Sequence, residues 1–141
     1  MATIRSYTTV EQSKKLAEIL PVESADMAWC NNSIRGVNYT DEYSANLYTV
    51  KEMQECFDKA LNGWDKYWKL IPCWSLAALI SILPSVIIRK GKRMFLTLEK
   101  AGVYNLYYKS PDRLDELWET KEEVIDACVT MIEILHELKL L

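Results

Sequence analysis

One histidine, four glycines and four prolines in 141 residues set the first limits on this chain. A zinc site asks for several cysteine or histidine ligands at short spacing, and His136 stands alone. No metal and no other cofactor is therefore expected. So few glycines leave little room for a phosphate cradle built from backbone amides, and neither GxxxxGK[ST] nor GxGxxG occurs. Cys30, Cys56, Cys73 and Cys128 form no CxxC pair and read as free, mostly buried thiols. Excess positive charge is also lacking: 17 Lys and Arg against 20 Asp and Glu leave a net charge of −3. No global field draws such a chain to long nucleic acid or to an anionic membrane. The N-terminus, MATIRSYTTVEQSKK, has no apolar h-region, so the expected location is the cytoplasm of the cell that makes it.

What the chain has is a single uncharged run, Leu70 to Ile88, nineteen residues long. Its length suits a minimal membrane span, but Pro72, Pro84 and the polar Cys73, Ser75, Ser81 and Ser85 do not. No membrane partner is expected. The run divides at Pro84 into a buried helix and a buried strand. Ser75 is the N-cap, and Leu76, Leu79, Ile80 and Leu83 share the helix's inward face. Val86, Ile87 and Ile88 suit a strand covered on both sides.

Around this run the pattern is α+β, in one domain spanning 1–141. Thr9 with Gln12, or Thr8 with Glu11, fits a capping box that opens a short helix, which Pro21 ends, with Val10, Leu16, Ile19 and Leu20 inward. Residues 22–48 have no clean period and read as irregular, with Trp29, Tyr39, Tyr43 and Tyr48 making them aromatic for a loop. Thr49 and Glu52 cap a second helix that runs to Asn62–Gly63, and Trp64, Tyr67 and Trp68 after it read as cover for the core. After Pro84 the pattern is a three-stranded antiparallel meander turning at Gly91 and Gly102. Met94, Leu96, Leu98, Tyr104, Leu106 and Tyr108 belong to its covered face. SPDRLDELWE reads as a charged connection holding one helical turn. Thr120 and Glu123 then cap a long C-terminal helix packed on the sheet, with Val124, Ile125, Cys128, Met131, Ile132, Leu135 and Leu138 as its apolar stripe.

Catalytic constellations are absent from this pattern. Cys73 or Cys128 paired with His136, or the carboxylates at Asp112, Asp115, Glu116 and Glu119, would be the nearest approach to a small hydrolase. Neither has a cue that activates it, so a non-enzymatic protein is expected. The local charge anomaly is Arg89–Lys90–Gly91–Lys92–Arg93 at the first turn of the meander. With Tyr107, Tyr108 and Trp74 as stacking surfaces, Arg89, Lys90, Lys92 and Arg93 could hold a nucleotide-like small molecule. The same lysines also suit a solvated turn that protects a sheet edge.

Three segments, VEQSKKLAEILPVESADMAW, IPCWSLAALISILPS and EEVIDACVTMIEILHELKLL, resemble a group of small phage and prophage proteins of gut Bacteroidales. The resemblance covers the two ends and the centre, while residues 30–68 carry little of it. It brings no established activity and no functional residue. What it implies is context, a viral protein acting in the cytoplasm of a bacterial host. In that context the expected function is a binding protein that antagonises host defence, sequestering a nucleotide-like ligand or blocking a host protein. A homo-oligomeric assembly protein, with Phe95, Tyr107 and Leu140–Leu141 as its apolar contact, is the alternative.

Overall fold

Two antiparallel sheets organise the residues that the computed structural model describes, which are 5–32, 43–46, 49–52, 55 and 68–141. Their contacts group them into two compact units, one within residues 7–78 and the other formed by residues 5–6 and 79–141. Helix and sheet are both present in quantity, so the α+β reading holds at that level.

In the unit within 7–78, helix α1 (Val10–Ala17) opens on the first of the two expected capping boxes, Thr9 with Gln12. The Gln12 N–H donates to Thr9 Oγ1 at 3.2 Å, and the Thr9 N–H donates to Gln12 Oε1 at 3.0 Å. Two donors that the first turn would leave unpaired are thus satisfied reciprocally. Leu16 and Leu20 are buried, while Val10 and Ile19 are half-buried. The stretch read as irregular contains a 3₁₀ turn at Val22–Ser24 and two strands, β1 (Met27–Asn32) and β2 (Tyr43–Asn46). β1 also pairs with β3 (Trp68–Cys73), giving the order β2-β1-β3. The strand signal was hidden because Met27 and its neighbour Ala28 are both buried, so no apolar-polar alternation shows. Residues 50–52 and 55 are helical, and the Glu52 N–H donates to Thr49 Oγ1 at 3.1 Å, the cap expected there. The rest of that helix, with Tyr39, Tyr48, Trp64 and Tyr67, lies outside the described residues.

The uncharged run makes three elements rather than two: the end of β3, helix α2 (Leu76–Ile82) and strand β4 (Val86–Arg89). Pro72 sits in β3 on the outside of the sheet order, where an edge strand tolerates the missing N–H. Ser75 caps α2 through the Ala78 N–H at 3.1 Å. Two turns are too few for a broad apolar face: Leu79 and Leu83 are buried, Leu76 is half-buried and Ile80 is exposed. No helix among the described residues is long and apolar enough to cross a membrane.

The unit that contains the C-terminus holds four strands, not the expected three. β4, β5 (Lys92–Ala101), β6 (Val103–Lys109) and β7 (Glu116–Lys121) pair in sequence order, each antiparallel to the next. The segment expected to hold a helical turn supplies β7, which alternates exposed with half-buried positions. Its charges, usual on an edge strand, concealed that period. Because the sheet claims residues as far as Lys121, Thr120 does not cap the last helix; its hydroxyl donates instead to Asn105 Oδ1 at 2.7 Å. Helix α3 (Val124–Glu137) begins at an N-cap Glu123 that makes no side-chain capping bond. Arg5 binds the Glu123 carboxylate from Nε at 2.8 Å and the Asp126 carboxylate at 2.7 Å. These acids raise the Arg5 pKa, Glu123 by its hydrogen bond most of all.

α3 contacts β6 and β7 and buries Val124, Ile125, Cys128, Met131, Ile132 and Leu135, the expected stripe without Leu138, which is exposed. Each large side chain of that stripe contributes roughly 2 kcal/mol on leaving water. Ile87, Met94, Leu106 and Tyr108 are the buried positions of the sheet; of the others expected on its covered face, Leu96 and Tyr104 are half-buried and Leu98 is exposed, beyond the strands that α3 contacts. β4 departs from its expected burial: Ile87 is covered, but Val86 and Ile88 are exposed. One face of this sheet therefore lies open.

The β4–β5 turn is built from Lys90 at φ +53° and Gly91 at φ +77°, the paired positive φ values of a type I′ hairpin. A Cβ on Gly91 would meet no atom within 4 Å, so only backbone strain opposes one. Gly91→Ala is expected to cost about 1–2 kcal/mol, read as a lowered urea midpoint. Lys90→Asn, at a position where asparagine tolerates that φ, should leave the midpoint unchanged or raise it.

Candidate functional site

Strand period two sorts the residues of the four-stranded sheet onto its faces, and the register then aligns them into rows. Arg93, Phe95, Thr97 and Glu99 share the open face of β5. Phe95 stands between Val86 on β4 and Lys109 on β6, and Ile88 stands opposite Arg93. Thr97, Tyr107 and Trp118 form the next row. Glu99, Asn105 and Thr120 form the row after it.

Direct contacts tie this face together. The rings of Tyr107 and Trp118 stack with centroids 4.4 Å apart and planes 3° from parallel. Cross-strand aromatic pairs of this kind add up to about 1 kcal/mol. The Lys109 ammonium lies 5.7 Å from the Tyr107 centroid and 5.9 Å from that of Trp118, within cation–π range of both. Tyr107 Oη donates to Glu99 Oε1 at 3.1 Å, and Trp118 Nε1 donates to Thr120 Oγ1 at 2.7 Å. Burial and the Glu99 carboxylate both push the Tyr107 phenol upward, so it stays a neutral donor. The apolar side chains are uncovered: Ile88 is 64% exposed, Phe95 47% and Trp118 41%.

The residues expected to bind a nucleotide-like ligand do not gather into one recess. Arg89 ends β4 half-buried, and Lys90 is the exposed first residue of the turn. Lys92 is committed elsewhere, with Nζ 2.8 Å from Asp112 and 3.1 Å from Asp115. Arg93 and Tyr107 share the open face. Tyr108 points the other way, fully buried, with its hydroxyl donating to the Pro84 carbonyl at 2.5 Å, and burial lifts its pKa well above the usual phenol range. Trp74 belongs to the other unit, fully buried, its Nε1 donating to Ser24 Oγ at 3.0 Å. These two rings are closed to any ligand by the protein itself.

The thiols are equally enclosed. Cys128 is buried and its pKa is pushed up to about 11 by desolvation, while His136 is exposed eight residues later, about two turns away. Cys73 lies against Thr8, with Sγ 3.6 Å from both its hydroxyl and its carbonyl oxygen, and burial again raises its pKa. A raised thiol pKa leaves little thiolate at neutral pH. Among the described residues no group of three His, Cys, Asp or Glu side chains could hold a metal ion. A recess of about 330 Å³ in the unit within 7–78, lined by Val22, Glu23, Thr49, Val50 and Lys51, contains none of the expected site residues.

Trp118, Ile88, Val86 and Lys109 were not anticipated in any site. The short run Glu116–Leu117–Trp118–Glu119–Thr120 did carry a signal, since Trp and Thr favour strands and the two glutamates sit three apart on either side of the ring.

The Lys92 clip has a pH signature. The Lys92 ammonium, the Ser110 hydroxyl and the Leu114 N–H all favour the Asp112 carboxylate, in that order, and hold its pKa far below the ordinary value of 3.8. A depressed carboxylate contributes stability above the unfolded pKa and loses it as pH falls. Lys92 is raised from 10.5 by Asp112 and then Asp115, so its share fades as pH climbs above that value. The urea midpoints of the natural chain and of Asp112→Asn should therefore differ most between about pH 5 and pH 10, draw together as pH falls below about 4, and converge only below about pH 2.

No protein-family model matches this chain, and no curated protein or solved structure does.

Proposed function

We propose that this chain is a non-enzymatic binding protein whose working surface is the open face of its C-terminal sheet, and that the face docks another protein. The observation that supports this reading is the contiguity of Val86, Ile88, Phe95 and Trp118, all exposed, with the half-buried Tyr107 on one face, while α3 packs on β6 and β7 and buries Leu106 and Tyr108 of the opposite face. Isolated exposed apolar residues are normal on any protein. A connected row of them, aromatic and rimmed by charge, is the composition of a protein interface. Deeply buried thiols with raised pKa values give no support to a hydrolase. With the phage resemblance as context, the protein acts inside a bacterial host, and the face engages a host or viral protein there.

A second reading keeps the nucleotide-like ligand, favoured by the Lys109 ammonium over Tyr107 and Trp118 with Arg93 on the same face. It requires a nucleotide that raises the melting temperature, with the rise lost in Arg93→Ala.

Site-specific photocrosslinking separates the docking face from the rest of the surface. Phe95→p-benzoylphenylalanine, irradiated in cells, is expected to give a discrete protein adduct. The same replacement at Leu114, 79% exposed and outside the sheet, is the control and should give none. No adduct from position 95, or the same adduct from both positions, would overturn the docking reading.

A further inference from the structure

We infer that the partner of the open face is a second copy of this chain, joined face to face about a two-fold axis that crosses the strands at the level of Leu96. The inference rests on the reading of that face as a protein-docking surface. Its particular support is the order of side chains along β5: a cation at Arg93, Phe95 and Thr97 in the middle, and an anion at Glu99. Reversing a copy of this strand about Leu96 places Arg93 opposite Glu99 of the second copy, twice per dimer, and Phe95 opposite Thr97. The same operation sets Lys109 against the Tyr107 ring of the second copy. Arg93 and Glu99 then meet their opposites and Lys109 meets an aromatic ring, twice each, while Glu116 stands against Trp118 and Val86 and Ile88 lie beyond the end of the facing β4; the β5 and β6 rows carry the self-complementarity an isologous contact demands.

Dimensions agree with this packing. Facing sheets sit about 10 Å apart, a gap that an arginine and a glutamate span together. Among the described residues Arg93 makes no ion pair, and it is exposed. Glu99 is exposed and bound by a neutral tyrosine hydroxyl, which leaves its charge uncompensated. The face measures roughly 14 Å across the strands and 20 Å along β5. That is small beside the ~800 Å² per partner of a standard stable interface. The dimer should therefore be weak and reversible, populated only at high protein concentration.

Charge reversal tests the pairing directly. In Arg93→Glu both ends of the β5 row become anionic, and in Glu99→Arg both become cationic. Each variant alone should repel its own copy and lose at least tenfold in association, read by sedimentation equilibrium. An equimolar mixture of the two restores both ion pairs and should form a mixed dimer of near-natural strength. Both positions are exposed, and an unchanged circular dichroism spectrum confirms that each variant folds. The inference is overturned if either variant self-associates like the natural chain, if the mixture stays monomeric, or if the natural chain itself remains monomeric at millimolar concentration. In the last case a crosslinked adduct at position 95 with a mass other than twice the chain would keep the docking face and reassign its partner. No adduct at all would remove both.

Discussion

Everything distinctive about the C-terminal unit depends on one helix covering one side of a sheet. α3 carries a stripe of large aliphatic side chains that leaves water as the helix packs on β6 and β7. Once it lies there, strand geometry allots each residue to a face, and a shift of one position would exchange them all. Met94, Leu106 and Tyr108 go inward, and Phe95, Tyr107 and Lys109 go outward. Gly91 and the positive φ of Lys90 fix the register of the first hairpin, and Arg5 anchors the start of the helix through Glu123 and Asp126. The open face is thus a by-product of the same packing that stabilises the unit.

That face is prepared rather than merely exposed. Stacking of Tyr107 on Trp118 and the hydrogen bonds from each ring to Glu99 and Thr120 fix the two largest rings before any partner arrives. Side chains already ordered lose less freedom on association. The basic turn contributes differently from its sequence appearance. Lys92 is occupied by Asp112 and Asp115, so the turn braces the 110–115 loop, and Arg93 alone of its inner pair is presented on the open face.

Much of the architecture was legible from capping and periodicity. Thr9 with Gln12, Ser75 and Gly91 all act as their residue types suggest, because caps and tight turns are local chemistry. The α3 stripe was legible for the same reason, being a long and regular period. What escaped was decided by distant pairing. β1 looked irregular because Met27 and Ala28 are buried together, and β7 looked like a charged loop because its partner, β6, supplies the reason for its extension. Val86 and Ile88 read as core because β-branched residues usually are, and only the missing cover on their side makes them surface. Of the expected site residues, Trp74 and Tyr108 had the right chemistry for stacking, but the strand period and the Pro84 carbonyl turned Tyr108 inward.

The most direct test of a working open face is an isotope-filtered NOE spectrum on a mixture of labelled and unlabelled chains, which records only contacts between copies. Intermolecular NOEs are expected from the Phe95 ring to Thr97 of the second copy and from the Tyr107 ring to Lys109 of the second copy. Intermolecular NOEs confined to surfaces away from β5, β6 and β7, or none at a concentration where the mass has doubled, would contradict this pairing.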